Sequence, residues 1–358
     1  MKPDLTIIGG GVIGSSIAFN LLQDGFKGRI TVLERDSSYQ FASSALAFGG
    51  VRQQFTSAVN VRMAQYSLSV ITQMPECQFR QRGYLFLGGD SNWATLKRRY
   101  EIQQSLGAEC ELLGVDEIRR LVPELHVEDL SGALFGPKDG YVDPRATLRA
   151  FRTKAEQLGA VYRSSDFQTF EPGPAYVIAA GAYSGQVAQT MGIDVPITPV
   201  RQQLFRCKLP RPWTYEFPVV IDSTGVHWRT APNDEIVIAK TKADEAPGFR
   251  FGCDLERYYG EVFPALRVRI PEFSDLELVF GWGGLYEMTP DQNGIIDRLT
   301  DSVYIAAGFS GHGLMTSAAT GKLMSELIRT GSFETLDASS LSYGRFARNQ
   351  LLIDEAML

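Results

Sequence analysis

The chain opens on a short apolar run, Leu5-Thr6-Ile7-Ile8, that breaks into Gly9-Gly10-Gly11 and resumes with Val12, Ile13, Ile17, Leu21 and Leu22 at helical spacing. A run too short for a helix and closed by glycine predicts a buried parallel strand; the helical period after it predicts a helix that Gly25 stops. Arg29 to Glu34 predicts a second strand. Helical spacing returns over Asn60 to Met74, and Arg82 to Gly89 alternates as a strand entering a new sheet does. Trp93 to Leu106 and Val115 to Leu121 predict two amphipathic helices in an inserted domain. Gly132 to Asp143 predicts strand and turn, and Arg145 to Leu158 a helix entered through Pro144 and left through Gly159-Ala160-Val161. Ala175 to Ala182 has the character of a buried strand of the first sheet ending in a small-residue turn, so that domain is discontinuous in sequence. Val195 to Phe280 is strand-rich, with Pro199 to Phe205, Val226 to Arg229 and Glu235 to Ala239 clearest and a helix near Leu255 to Phe263. Ser302 to Gly313 predicts a strand and a glycine turn leading to a helix that ends near Thr330.

The expected fold is α/β and α+β: a discontinuous Rossmann-type domain (1–80, 136–194, 281–358) and an antiparallel β-sheet domain (81–135, 195–280). Gly9, Gly11 and Gly14 have the G-x-G-x-x-G spacing, in which the first glycine makes the turn, the second admits a pyrophosphate and the third brings helix and strand close. Glu34 lies 20 positions past Gly14, at the end of the second strand, where a carboxylate accepts both ribose hydroxyls. Strand, glycines, helix and acid together point to an adenine dinucleotide at the helix N-terminus. The small residues Ser43, Ser44 and Ala45 suit close wrapping of a phosphate or flat ring, or equally an ordinary serine-capped helix.

Composition narrows the partners. Arg and Lys (35) are outnumbered by Asp and Glu (41), which argues against nucleic acid. Four widely spaced cysteines and three histidines offer no metal-ligand spacing and no disulfide framework, so no metal is expected and a reducing, cytoplasmic setting fits. No apolar run approaches the length of a membrane span, and with the first strand following almost at once on Met1 no targeting segment is expected.

The opening glycine fingerprint with Leu33-Glu34-Arg35, the strand end Ala179-Ala180-Gly181-Ala182-Tyr183-Ser184, the run Gly281-Trp282-Gly283-Gly284-Leu285 and the turn Ala306-Ala307-Gly308-Phe309-Ser310-Gly311-His312-Gly313 resemble the D-amino acid oxidase and sarcosine oxidase superfamily of FAD enzymes from end to end. Phe48 to Phe55 is similar to the sarcosine-oxidase-like, FAD-dependent-oxidoreductase-domain branch. The resemblance implies FAD contacts from Gly9, Gly11, Val12, Ile13, Gly14, Glu34, Arg35, Ser43, Ser44, Ala45, Gly50, Val51, Ala180, Gly181, Gly283, Gly308, Gly311, His312, Gly313, Leu314 and Met315, with the two amphipathic helices covering the cofactor. Three departures qualify it. Gly284 and small residues near Ser43 stand where some relatives attach FAD covalently, so non-covalent FAD is implied. Met315 stands where monomeric sarcosine oxidases carry a carboxylate-binding lysine, and Tyr162 to Pro174 is shorter than usual.

A helix N-terminus at Gly311 to Leu314 would meet the negative charge that a reduced flavin gathers near N1. His312 either donates to backbone or touches flavin, and receives no catalytic role. Arg52, between glycines and a polar pair, is expected to hold a substrate carboxylate in a two-pronged salt link; a surface arginine is the competing reading. His227, Trp228, Lys240 and Tyr286 are candidates for the pocket wall, with His227, Lys240 and Tyr286 as substrate contacts, although Trp228 and Tyr286 are residues more often found in core. Val237 falls where sarcosine oxidases keep an oxygen-activating lysine, with Lys240 close by. The expected enzyme oxidises the C–N bond of an amino acid or N-substituted amino acid to an imine that hydrolyses, passing electrons to O2 or a redox partner. The alternatives are a non-catalytic flavoprotein of assembly and an FAD-dependent 2-hydroxy acid dehydrogenase.

Overall fold

A computed structural model describes residues 4–167, 175–241 and 245–356. The opening run forms β1 (Leu5–Ile8), whose side chains are buried on both faces, which is why the sequence there is apolar without alternation. α1 (Val12–Gln23) follows, and β2 (Ile30–Glu34) pairs in parallel with β1 from Leu5↔Ile30 to Ile8↔Leu33. On its other side β1 pairs in parallel with Ala175–Ile178, so the sheet joins segments far apart in the chain, as expected. The full order is Ile295–Arg298, Val303–Ala307, Ala175–Ile178, β1, β2 and Val161–Ser164, with only the first pair antiparallel. α1 packs between the helices Pro144–Gln157 and Ser317–Thr330. Gly321 permits the second contact, since a Cβ there would lie 2.2 Å from Ser16 Oγ. The helix Pro144–Gln157 begins as its sequence dictates, with Pro144 in the first turn and the Asp143 carboxylate accepting from Ala146 N at 2.6 Å.

The second sheet has eight strands in the order Glu277–Met288, Thr198–Lys208, Glu235–Lys240, Val226–Ala231, Val219–Ile221, Tyr84–Gly89, Leu130–Gly136 and Glu111–Leu113. Its neighbours are antiparallel except Val219–Ile221 with Tyr84–Gly89. Trp228 is fully buried in its core beside Phe205 and Tyr258. The expected domain boundary at 281 needs correction, because it cuts the strand Glu277–Met288, which pairs with Thr198–Lys208 along its whole length. The helical stretch near 255 is also longer than expected: it runs through a π turn at Tyr258–Val262 and on to Arg269, because apolar Val262 and Leu266 keep feeding the core.

The turn that follows the strand Glu277–Met288 is tied to the short helix Gly344–Ala347 by a buried ion pair. Asp291 accepts from Arg345 Nε at 2.7 Å and from Nη2 at 2.9 Å, and both side chains are 2% exposed. Asp291→Ala leaves a buried guanidinium without its counter-ion and is expected to lower unfolding free energy by about 3 kcal/mol, read as a shifted urea midpoint.

Candidate active site

Where β1 ends, the chain must turn sharply into α1. Gly9 does so at φ +104, with the place of a Cβ only 2.3 Å from Ala179 O. Gly14 has the tightest approach, 1.9 Å from Gly9 O, and so lets α1 lie against the strand end. Gly11 is different: a Cβ there would meet only Ser44 Oγ at 3.4 Å, so the protein's own packing leaves its bareness unexplained. It faces a cavity of about 450 Å³, the size of a small-molecule site. The N-terminus of α1, with Gly11 as its N-cap and no capping side chain, opens into the same space.

The cavity passes from Glu34 and Arg35 at the end of β2, over Gly9, Gly11, Val12 and Ile13, past Ser43, Ser44, Ala180 and Gly181, to Gly50, Arg52, His227, Gly284, Tyr286 and the turn Gly311, His312, Gly313, Leu314 and Met315. Both glycine-rich turns thus open on one space. Glu34 accepts from Gly10 N at 2.9 Å and Asp36 N at 2.9 Å, and burial raises its pKa above the ordinary carboxylate value. Ser44 Oγ accepts from Val12 N at 3.3 Å, so the small-residue loop is a turn against the helix end and not a capped helix.

Several expected contacts lie elsewhere. Lys240 lies between Ala239 and Thr241, which line the cavity; strand alternation sends it to the opposite side, where Nζ stands 3.5 Å from Glu261 Oε2. Val51 is removed in the same way from between Gly50 and Arg52, and its side chain is core. Ala45 is core, and Gly14 acts through packing. Gly283 is bare because a Cβ would lie 2.3 Å from Gly252 O, and Gly308 because its φ is +78 and Thr289 Cγ2 is 2.5 Å away. The helix N-terminus expected at Gly311 to Leu314 lies further on: 311–316 form a turn segment in which Thr316 N donates to His312 O at 3.2 Å, and the helix starts at Ser317. The helices Trp93–Ser105 and Val115–Leu121 contribute no lining residue and pack on the eight-stranded sheet.

Arg52 is 1% exposed, and its guanidinium stands over the Phe55 ring at 4.2 Å. Its Nη1 donates to Gln54 O and its Nη2 to Ala356 O at 2.7 Å, while Nε has no acceptor. Arg269 and Arg345, buried as deeply, each hold carboxylates at 2.6 to 3.0 Å; Arg52 has none within ion-pair distance among the described residues. Arg229 also lacks one, but it is spent between the Phe48 and Tyr141 rings and does not line the cavity. Burial lowers the Arg52 pKa against smaller opposing pulls from Tyr84, Asp354 and Asp139, so an anion brought into the cavity would meet a charge the protein compensates only in part.

Around Arg52 stand two histidines. His312 Nε2 is 3.5 Å from its Nη2, and His227 Nδ1 faces Gly225 O at 3.1 Å. Burial, followed by the arginine's charge, lowers His312 to about 3; burial lowers His227 to about 4, with the same charge a smaller cause. Both are neutral at pH 7. Tyr286, its pKa raised by burial, packs its ring where a Cβ of Gly311 would sit, 2.4 Å away, so that glycine and that tyrosine require each other. Sequence reasoning missed Tyr84, buried and pushed up to about 12, whose ring needs Gly50 to be bare. It also missed Glu287, a cavity carboxyl raised by burial to about 7 that accepts from Gly308 N at 2.9 Å. Glu287 follows Tyr286 near the end of a strand that meets the glycine turn, which is the one sequence signal for it; Tyr84 carries none.

The histidines set a pH dependence of stability. A proton binds His227 in the unfolded chain near 6.5 but in the folded chain only near 4, so its contribution is full above 6.5 and is lost as pH falls toward 4. Glu287 opposes this, its contribution being present below 4.5 and lost as pH rises through about 7. The His227→Gln apoprotein is therefore expected to lose less stability than the native chain between neutral pH and about 4.5 in urea titrations.

A profile of the FAD dependent oxidoreductase family matches residues 4–327. The chain belongs to that family. Among FAD dependent oxidoreductases it is similar to FAD-dependent oxidoreductase domain-containing protein 1 of Xenopus laevis, 29% identical over 420 residues, covering 99% of this chain and 84% of that protein. It superposes on L-proline dehydrogenase from P. horikoshii with a TM-score of 0.91 and 29% identity, over 98% of this chain and 99% of the other. Glycine oxidase from Geobacillus kaustophilus gives a TM-score of 0.84 at 22% identity in its solved structure, over 96% and 98% of the two chains, a likeness of fold. The expected superfamily, the fold class, the enzyme class and the FAD cofactor all stand on these matches. The residues fit that cofactor: the unfilled space beside Gly11, the N-terminus of α1 with its glycine N-cap and the Glu34 carboxylate share one cavity with the 311–315 turn.

Proposed function

We propose that this oxidoreductase oxidises the C–N bond of an α-amino acid whose nitrogen is secondary, N-substituted or part of a ring, with FAD held non-covalently. FAD supplies the hydride acceptor. Gly11, the first turn of α1, Glu34 and Ser44 would hold its adenosine and pyrophosphate, and the backbone of 311–315 together with Tyr286 would hold the ring end. The reading is carried by Arg52, a buried cation facing the cavity without a carboxylate of its own. Its Nε and the free edge of its guanidinium would take the substrate carboxylate, and the neutral His227 and His312 would leave that positive charge undivided. A secondary amine is favoured because the walls are aromatic, with Phe48, Tyr84 and Tyr286 lining the cavity, and because a relative of matching length and fold is an L-proline dehydrogenase. No lysine lines the cavity among the described residues, which supports slow reoxidation by O2 and delivery of electrons to a redox partner. Four unpaired cysteines, three of them buried, support a reducing, cytoplasmic setting. No helix among the described residues is long and apolar enough to cross a membrane.

Anaerobic bleaching of the flavin band tests the reading. L-Proline or N-methylglycine is expected to bleach it and the corresponding amides to leave it unchanged. Bleaching by 2-hydroxy acids alone would move the enzyme to the hydroxy acid class.

A further inference from the structure

Three consecutive residues near the chain's end each hold a different part of the wall that carries Arg52. The Asp354 carboxylate accepts from Thr56 N and Oγ1 at 3.0 and 2.8 Å, from Ser57 N and Oγ at 3.1 and 2.9 Å, and from Asn60 Nδ2 at 3.0 Å. Glu355 N donates to Thr56 Oγ1 at 2.7 Å, and its carboxylate takes Arg98 Nη1 at 2.8 Å from the helix Trp93–Ser105. Ala356 N closes back on Asp354 Oδ1 at 3.0 Å, and Ala356 O receives Arg52 Nη2 at 2.7 Å.

The two carbonyls that hold the guanidinium do different work. Gln54 O lies two residues along Arg52's own loop and moves with it. Ala356 O comes from 304 residues away and fixes that loop against the rest of the molecule. With aromatic rings on its other sides, at 4.2 Å for Phe55 and 5.5 Å for Phe86, the guanidinium has no further acceptor of comparable quality among the described residues; His312 Nε2 stands at 3.5 Å. A planar fork meets a carboxylate on two bonds only when its plane is set beforehand. We propose that residues 354–356 form a strap that sets the orientation of Arg52 for carboxylate binding, and that Asp354 is its positioning residue. The strap deepens the carboxylate reading of Arg52 and rests on it.

The test uses full-length, FAD-loaded protein and two unreactive probes, pyrrole-2-carboxylate and pyrrole-2-carboxamide, titrated against the flavin band, with flavin content followed in parallel. Asp354→Ala is expected to raise the dissociation constant of the carboxylate about tenfold, the effect of losing one hydrogen bond to a charged group. The carboxamide constant and the flavin content should stay at the native values. Asp354→Asn keeps the shape and one acceptor oxygen, should raise the carboxylate constant about threefold, and carries the test where the alanine variant does not fold. An unchanged carboxylate constant, equal weakening of both probes, or loss of flavin overturns the strap. Arg52→Ala separates the two ideas. If it abolishes carboxylate selectivity while the Asp354 variants retain it, the strap alone fails; if Arg52→Ala retains it as well, the carboxylate reading of Arg52 has failed.

Discussion

Gly14→Ala is expected to yield folded protein that is colourless. The added Cβ would stand 1.9 Å from Gly9 O and 3.2 Å from Ile7 Cγ2, and the first of these is backbone with nowhere to move. α1 must therefore lift from β1 at its first turn, which carries Gly11, Val12 and Ile13 into the cavity wall. Overpacking at a backbone contact costs about 3 kcal/mol, and if FAD binding bears that cost its affinity falls more than about a hundredfold. The remainder of the helix, buried along Ile17, Ala18 and Leu21, keeps the fold. The measurement is the visible flavin band relative to protein absorbance, beside far-UV dichroism. Gly260→Ala, where a Cβ meets nothing within 4 Å, is the control expected to remain yellow.

The fate of Gly14 shows where sequence was legible and where it was not. Strand, glycine spacing, helix and terminal acid are local, each within about ten residues of the next, and short-range sterics fix them. The same holds for the helix Pro144–Gln157 with its Asp143 cap. What sequence could not supply is the side on which a strand residue emerges when alignment to a family is uncertain by a position or two. Lys240 and Val51 were misplaced for that reason, since a shift of one residue exchanges the faces. Gly283 and Gly308 were misread because a glycine required by a neighbouring backbone or a positive φ looks, in sequence, the same as one required by a ligand. The strap at 354–356 is invisible for a third reason: its partners are 257 to 304 residues away, and two of the strap's own contacts, Glu355 N and Ala356 O, are main-chain groups that any residue carries. Tyr84 and Glu287 acquire their properties from burial, which only the closed cavity creates.

Arg52→Ala is expected to lower kcat/KM for the amino acid substrate about a thousandfold, mostly through KM, because truncating one partner of a buried charge pair removes several kcal/mol of binding. Flavin content should hold, since Gly50, Val51 and the turn at 311–315 keep their own bonds and packing. Stability is the discriminating measurement. Arg269 and Arg345 are structural, each fixed to a buried carboxylate, and their removal leaves Asp222 or Asp291 without its counter-ion. Removing Arg52 strands no carboxylate among the described residues; it frees the carbonyls of Gln54 and Ala356 and the His312 Nε2 contact, and withdraws a cation that burial already disfavours. The alanine variant should therefore melt within a few degrees of the native apoprotein while Arg345→Ala melts well below it. Arg52→Lys keeps the charge and loses the fork, so it should recover only a small part of the activity. If Arg52→Ala lost stability as Arg345→Ala does and retained native KM, Arg52 would be a structural residue and the carboxylate would have to bind elsewhere in the cavity.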